Sequence, residues 1–248
     1  MTGETGERET GPATARAGVP ATARVDGADR AQGPDGGAIR VDRLTIPVPS
    51  EEIGIHRVAT FVHILKHVVA PDRRTLVDLG AGHCKFSQWA AKLGFEVTAV
   101  DGRTVRLPED LGAIRFVLSD VRDYDPRGHG VVALLGLLYH LEIADQESLL
   151  RRCCYGAPVI VETQVHVPEL VTGEAKDWHA LVTRDGYEGV DFPEGDNPMA
   201  SIGNRTSFWH TEASMIRLFE RTGYGAVTVI DPVFVSGYGA RRFYVARP

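Results

Sequence analysis

Cysteine is scarce in this chain: among 248 residues there are Cys84, Cys153 and Cys154 and no others. Adjacent cysteines cannot easily bridge each other, and no C-x-x-C pair occurs, so neither a disulfide framework nor a zinc cluster is indicated. No apolar run reaches membrane-spanning length, and no charged-then-apolar leader opens the chain,. The expectation is a cytoplasmic protein without a membrane partner. An excess of basic residues is also missing, since 27 Lys and Arg face 33 Asp and Glu, for a formal net charge of −6. A broad nucleic-acid footprint needs a basic face, so that partner is disfavoured. Residues 1–38 contain no aromatic side chain and are crowded with Gly, Ala, Thr, Arg, Asp and Glu. Such a segment buries too little apolar area to offset its ordering entropy, which predicts a disordered tail. The rest, residues 39–248, suits one globular domain, in a chain with 43% hydrophobic residues,.

The domain is organised around Thr75 to Arg103. Leu76-Val77-Asp78-Leu79 is a short apolar run of the buried parallel-strand type. Gly80-Ala81-Gly82 follows at once, and glycines there let the backbone turn sharply and approach a ligand. Lys85 to Leu93 predicts a helix with Phe86, Trp89, Ala90 and Leu93 on one face, ended by Gly94. Phe95 to Val100 is a second strand, finishing in Asp101. The result is a βαβ unit with a glycine turn at the first strand end and an acid at the second. Ligands of open α/β sheets sit beyond the carboxyl ends of the strands, where a carboxylate can accept the hydroxyl hydrogens of a ribose. A dinucleotide and S-adenosylmethionine both suit that logic. The dinucleotide fingerprint G-x-G-x-x-G requires a third glycine where this chain has Lys85.

By contrast, Asp78-Leu79-Gly80-Ala81-Gly82 resembles the D/E-x-G-x-G signature of the class I S-adenosylmethionine-dependent methyltransferases. In that family the signature often continues to a third glycine, which falls here at Cys84, a departure that narrows the expected methionine pocket. The resemblance implies S-adenosylmethionine as cofactor, held by Asp78, Gly80, Ala81, Gly82, Phe86, Asp101 and Gly102. Ile114 to Leu118 is a third strand, and the family places an adenine-binding acid just past it, matched by Asp120 with Val121 beside it. Gly130 to Leu138 is the most apolar run, a central fourth strand whose end lies beside the methyl donor in the family. That end brings in Leu137, Tyr139 and His140, the last two as catalytic candidates, because a histidine can take a proton near neutral pH. The alternative for His140 is packing or structural hydrogen bonding. Gly136-Leu137-Leu138-Tyr139-His140 also looks like the matching segment of the tRNA wobble-uridine carboxymethyltransferase. No D/N-P-P-Y/F motif stands there, which disfavours amino methylation of nucleic-acid bases.

Around this framework the other elements follow in order. Ile39 to Val48 alternates as a short edge segment. Ser50-Glu51-Glu52 caps an amphipathic helix reaching Val69. Its other face carries His56, His63 and His67. His63 and His67 stand at i, i+4, but Ile64 occupies the place of the glutamate of zinc proteases, so no metal is assigned. A helix before the first strand often covers the cofactor in the resembled family, which makes His56 and His63 substrate-facing candidates. Asp145 to Tyr155 is a helix, and Pro158 to Thr163 a fifth strand with Glu162 at its catalytic end. Residues 164–207 then form an insertion of the length that usually serves as a functional lid. It carries His166, Trp178, Arg184, Tyr187, Asn204 and Arg205, and Trp209 stands just after it. Aromatics and arginines suit a flat or acidic small molecule. Thr211 caps a helix, and Ala226 to Val235 with Arg241 to Ala246 close the sheet as an antiparallel pair.

The expected fold is therefore a Rossmann-like, seven-stranded, mostly parallel sheet with an antiparallel last strand, helices on both faces and a lid after the fifth strand. The expected activity is methyl transfer to a small-molecule hydroxyl in specialised metabolism, antibiotic biosynthesis included, by an enzyme for which a homodimer is compatible. The alternatives are an RNA methyltransferase, a cofactor-binding protein without catalysis, and a nicotinamide oxidoreductase.

Overall fold

The structure is a computed structural model that describes residues 25–30, 38–47, 53–171, 180–194, 202–237 and 239–248. In chain order the elements are β1 (Val25–Arg30), β2 (Arg40–Thr45), α1 (Ile53–His63) running into a π-helical turn at Ile64–Val68, β3 (Thr75–Leu79), α2 (Lys85–Lys92), β4 (Glu96–Asp101) and β5 (Arg115–Leu118). They continue with β6 (Val131–Leu135), a 3-10 turn at Leu138–His140, α3 (Ile143–Cys153), β7 (Val159–Gln164), β8 (Val182–Arg184), β9 (Tyr187–Pro193), β10 (Thr206–His210), α4 (Glu212–Arg221), β11 (Ala226–Ser236) and β12 (Gly239–Arg247).

The main sheet runs β1-β2-β11-β12-β7-β6-β3-β4-β5. The block β7-β6-β3-β4-β5 is parallel, and β12 lies antiparallel between β7 and β11. Those seven strands match the sequence expectation, but the sheet has nine. The segment predicted as an edge becomes β2, paired parallel to β11. Of residues 1–37, positions 25–30 are the ones described, and they pair antiparallel with β2, adding a strand where composition predicts none. The capping triplet Ser50-Glu51-Glu52 lies outside the described residues.

The central strands are buried on both faces, so their side chains feed two cores by simple alternation. Val77, Leu79, Val132, Leu134, Val159 and Val161 point to one face, where Leu149 and Leu150 of α3 and Leu218 and Phe219 of α4 cover them. Leu76, Val97, Ala99, Val131, Ala133 and Ile160 point to the other, against Phe61, Ile64 and Leu65 near α1 and Ala90 of α2. At about 2 kcal/mol per fully buried large aliphatic side chain, this alternation is the main driving force for the layered architecture.

The insertion is more structured than a loop: β10-β9-β8 form a separate antiparallel sheet. Three polar anchors tie it to the helices. Tyr187 is fully buried and its hydroxyl donates to Glu147 of α3 at 2.6 Å. His210 bonds Ser214 through Nδ1 and Gln146 through Nε2, both at 2.9 Å. Burial pushes the His210 imidazole down to about 3, so it stays neutral,. Gln146 in turn donates to the Leu141 carbonyl at 3.0 Å, just past the 3-10 turn. Thr211 caps α4 as its hydroxyl predicts, accepting from the Ser214 N–H at 3.2 Å,.

Candidate active site

A cleft opens at the carboxyl ends of β3, β4, β5 and β6. Its floor is the glycine turn. Gly80 and Ala81 both donate N–H groups to the Val100 carbonyl, which locks the turn onto β4. Gly80 has φ +76°, and a Cβ there would stand 2.8 Å from Leu137 Cδ1. Gly82, at φ +50°, faces open space. The backbone of Gly82 donates to Asp101 Oδ2, and that of Arg103 to Asp101 Oδ1, each at 2.9 Å. The Asp101 carboxylate is thus fixed at the tip of β4 with lone pairs remaining for a ligand's hydroxyls.

Asp120 stands one strand further on, past β5. Arg122 grips it with a guanidinium contact at 2.6 Å, and this pairing holds the Asp120 carboxyl below the usual range. Val121, Gly102 and Leu137 also line the cleft. The insertion reaches the same place: Ile202 lies on Gly102, its Cδ1 where a glycine Cβ would clash. Two of the predicted cofactor residues sit elsewhere. Asp78 is buried and accepts a 2.6 Å bond from Ser87 Oγ; burial, with Asp101 nearby, raises its carboxyl to about 6. Phe86 packs edge-on against Phe61 at 5.3 Å, with the Arg57 guanidinium 5.2 Å from its ring centre. Ala81 contributes backbone to the turn and packs its methyl against the core.

The fourth-strand end supplies the other side. Gly136, at φ +78°, turns the chain into the 3-10 segment. His140 lines the cleft, and its Nδ1 bonds Glu194 Oε1. Ser207 donates to the same carboxylate, and Asn204 Nδ2 donates to the His140 carbonyl at 3.0 Å. Glu194, Ser207 and Asn204 all come from the insertion or its border. Tyr139 lies against the His140 ring, with centroids 4.0 Å apart, and its hydroxyl accepts from Arg241 Nη1 at 3.4 Å.

Beneath Tyr139 is a buried ionic cluster. Glu162 is fully buried, paired twice by Arg241 and once by Arg57 at 2.6 Å. Burial opposes ionisation of Glu162, but the two arginines outweigh it and hold the carboxyl below its usual range,. Glu162 is therefore committed within the protein.

The other predicted substrate residues scatter. His56 is buried and stacked on Phe234 at 4.9 Å; Trp209 is buried and stacked on Phe192 at 4.5 Å; His166 is buried where the chain bridges to Thr211. His63 faces His67, with ring centroids 4.8 Å apart, and burial together with His67 lowers its affinity for a proton. Among the described residues no three metal-binding side chains gather. Arg184, paired with Asp191, and Arg205 line a neighbouring groove that meets the cleft at Leu141. Trp178 lies outside the described residues. Sequence reasoning missed Glu194, Ser207, Arg57 and Arg241. The signal available for the last was the pair Arg241-Arg242 running straight into the apolar stretch Phe243 to Ala246, since an arginine buried in a strand demands an acid opposite it,.

No family model matches the chain, and no curated protein matches it in sequence. Solved structures do match. The N-terminal domain of EvdMO1, crystallised with S-adenosylhomocysteine, superposes with a TM-score of 0.55 at 20% identity, covering 77% of this chain and 79% of that one. The 1,6-didemethyltoxoflavin N1-methyltransferase of Burkholderia thailandensis gives 0.54 at 16% identity, over 79% and 78%. CalO1, a methyltransferase in calicheamicin biosynthesis, gives 0.50 at 19% identity, over 77% of this chain and 54% of that one. The chain has the fold of the class I S-adenosylmethionine-dependent methyltransferases.

Proposed function

We propose that the protein is an S-adenosylmethionine-dependent methyltransferase acting on a hydroxyl of a small molecule in specialised metabolism. One observation carries this reading most: the Asp101 carboxylate, tethered to the glycine-turn backbone, borders a cleft at the carboxyl ends of β3, β4 and β5. The residues present fit the cofactor. Asp101 would hold the ribose hydroxyls, Asp120 and Val121 the adenine, and the open face of Gly82 leaves room for the amino-acid portion. When bound, S-adenosylmethionine supplies an electrophilic methyl group on a sulfonium.

The chain's own residues would do the rest. A proton on His140 Nδ1 shared with Glu194 leaves the imidazole lone pair on Nε2, the atom to take the acceptor's hydroxyl proton,. Glu194 would stabilise the imidazolium so formed. Asn204 holds the His140 backbone, so ring position and cofactor geometry are set by the same turn. Positioning of nucleophile and methyl group would supply most of the acceleration.

Titration of the protein with S-adenosylhomocysteine tests the reading. Saturable binding is expected, with the D101A variant about 30-fold weaker, as befits loss of charge-assisted hydrogen bonds. Equal affinity in wild type and variant removes Asp101 from the site.

A further inference from the structure

The carboxylates around the cleft are accounted for. Asp101 holds two backbone N–H groups, Asp120 is gripped by Arg122, Glu162 by Arg241 and Arg57, and Glu194 by His140 and Ser207. One cation lining the cleft is not. Arg106 has no hydrogen bond or salt bridge among the described residues, and its Nε is buried without a partner. Asp101 and Tyr139 are both within its electrostatic reach, and it lines the same cleft as His140. Burial first, and then the adjacent Arg103, weaken its hold on a proton, and the half-buried side chain keeps a donor, Nε, that nothing among the described residues satisfies,. An arginine kept in that condition is a planar, five-donor receptor for an anion.

The cofactor does not readily meet this need. Sulfonium, ammonium and carboxylate leave S-adenosylmethionine a net cation, and the charges of the cleft lining, three arginines against two aspartates, already sum to the positive side. An anionic acceptor balances both. Resting on the methyltransferase reading above, we propose that the acceptor carries a carboxylate or similar oxyanion besides its hydroxyl, and that Arg106 recognises that group at the transfer end of the cleft.

The experiment uses the whole protein and separates the two layers of argument. Binding of S-adenosylhomocysteine by wild type tests the cofactor reading alone. With the protein saturated in S-adenosylhomocysteine, benzoate and its neutral isostere benzamide are then titrated. Benzoate is expected to bind about tenfold tighter than benzamide, the worth of one charge-assisted contact. R106Q should erase that preference, R106K should keep part of it, and all three proteins should share one melting temperature and one S-adenosylhomocysteine affinity within about twofold. Equal binding of benzoate and benzamide to wild type, or no measurable binding of either, overturns the proposal. So does the opposite pattern in the cofactor arm. If R106Q weakens S-adenosylhomocysteine about tenfold yet leaves 5′-methylthioadenosine unaffected, Arg106 holds the cofactor's own carboxylate.

Discussion

The two sides of the cleft are built differently. The nucleoside side rests on contacts close in sequence: Gly82 to Asp101 spans 19 positions, Arg103 to Asp101 two, and Arg122 to Asp120 two. The transfer side is assembled from afar: His140 to Glu194 spans 54 positions, Arg241 to Glu162 79, and Arg57 to Glu162 105. A local contact forms wherever its βαβ unit forms. A distant one requires the whole sheet, because closing long loops must first be offset by packing elsewhere. The transfer side should therefore be the part whose loss unsettles the fold, and the nucleoside side the part whose loss costs only ligand.

The largest effect expected is at Arg241. R241L leaves Glu162 fully buried with Arg57 as its remaining cation, and breaking such a pair costs about 3–5 kcal/mol,. For a domain of this size that is a fall of about 10 °C in melting temperature, measurable by calorimetry. The double variant R241L/E162L should recover most of the loss, since it removes the orphaned charge. The contrast is with D101A, for which cofactor affinity should fall while the melting temperature moves by no more than about 2 °C. If R241L melts normally, the division between the two sides is wrong.

Asp78 sharpens the comparison with pH. Its carboxyl sits at about 6 when folded against an ordinary 3.8, chiefly through burial, partly offset by the Ser87 bond. Well below pH 3.8 the group is protonated in both states and costs nothing. As pH rises from 4 to 6 the unfolded chain releases its proton first, so wild type loses stability through that window and stays lower above it. The difference approaches about 3 kcal/mol. D78N does not titrate, so denaturant melts should match wild type at about pH 2.5 and exceed it at pH 7,. Parallel curves across the range would mean that Asp78 is not desolvated as described.

Glu194 tests the transfer side by chemistry and not by stability. E194Q keeps the shape of the contact to His140 but removes the charge that favours an imidazolium. With an acceptor in hand, kcat should drop about tenfold with KM nearly constant, because the base loses its anionic partner in the transition state. A change in KM alone would assign Glu194 to acceptor binding.

What the residues disclosed in advance follows the same division. Strand–turn–helix–strand order, the glycine turn, the positions of Asp101 and Asp120 at or just past their strand ends and the parallel block were readable, because each depends on local periodicity or on spacing within one unit. Tyr187 and Trp209 were read as substrate contacts because an aromatic in an insertion gives no sign of which way it faces. Both are buried, one with its hydroxyl on Glu147 and the other stacked on Phe192. Glu162 stood at the right strand end, but an acid at a strand end looks the same whether it meets a ligand or two arginines. The second sheet was missed because β8 and β10 are short and its anchors, Tyr187 on Glu147 and His210 on Gln146, lie far away in sequence.

The smallest effect expected concerns the missing third glycine. Cys84 takes φ +53°, the left-handed conformation that glycine adopts at no steric cost, so the backbone of the turn is kept without the residue,. Its side chain is fully buried in the core behind the cleft, and burial pushes the thiol up to about 11, so it is a small neutral hydrophobe there and not a wall of the pocket,. C84G relieves about 1 kcal/mol of backbone strain but loses about as much in buried volume and chain entropy. Its net stability change should fall within about 1 kcal/mol, and its S-adenosylhomocysteine affinity within twofold of wild type. Gly80 is the opposite case: it has positive φ and Leu137 stands against it, so G80A should be destabilised and bind poorly. An affinity gain of about tenfold in C84G would mean that the thiol does intrude on the ligand, and the nucleoside side would then be less purely local than its hydrogen bonds suggest.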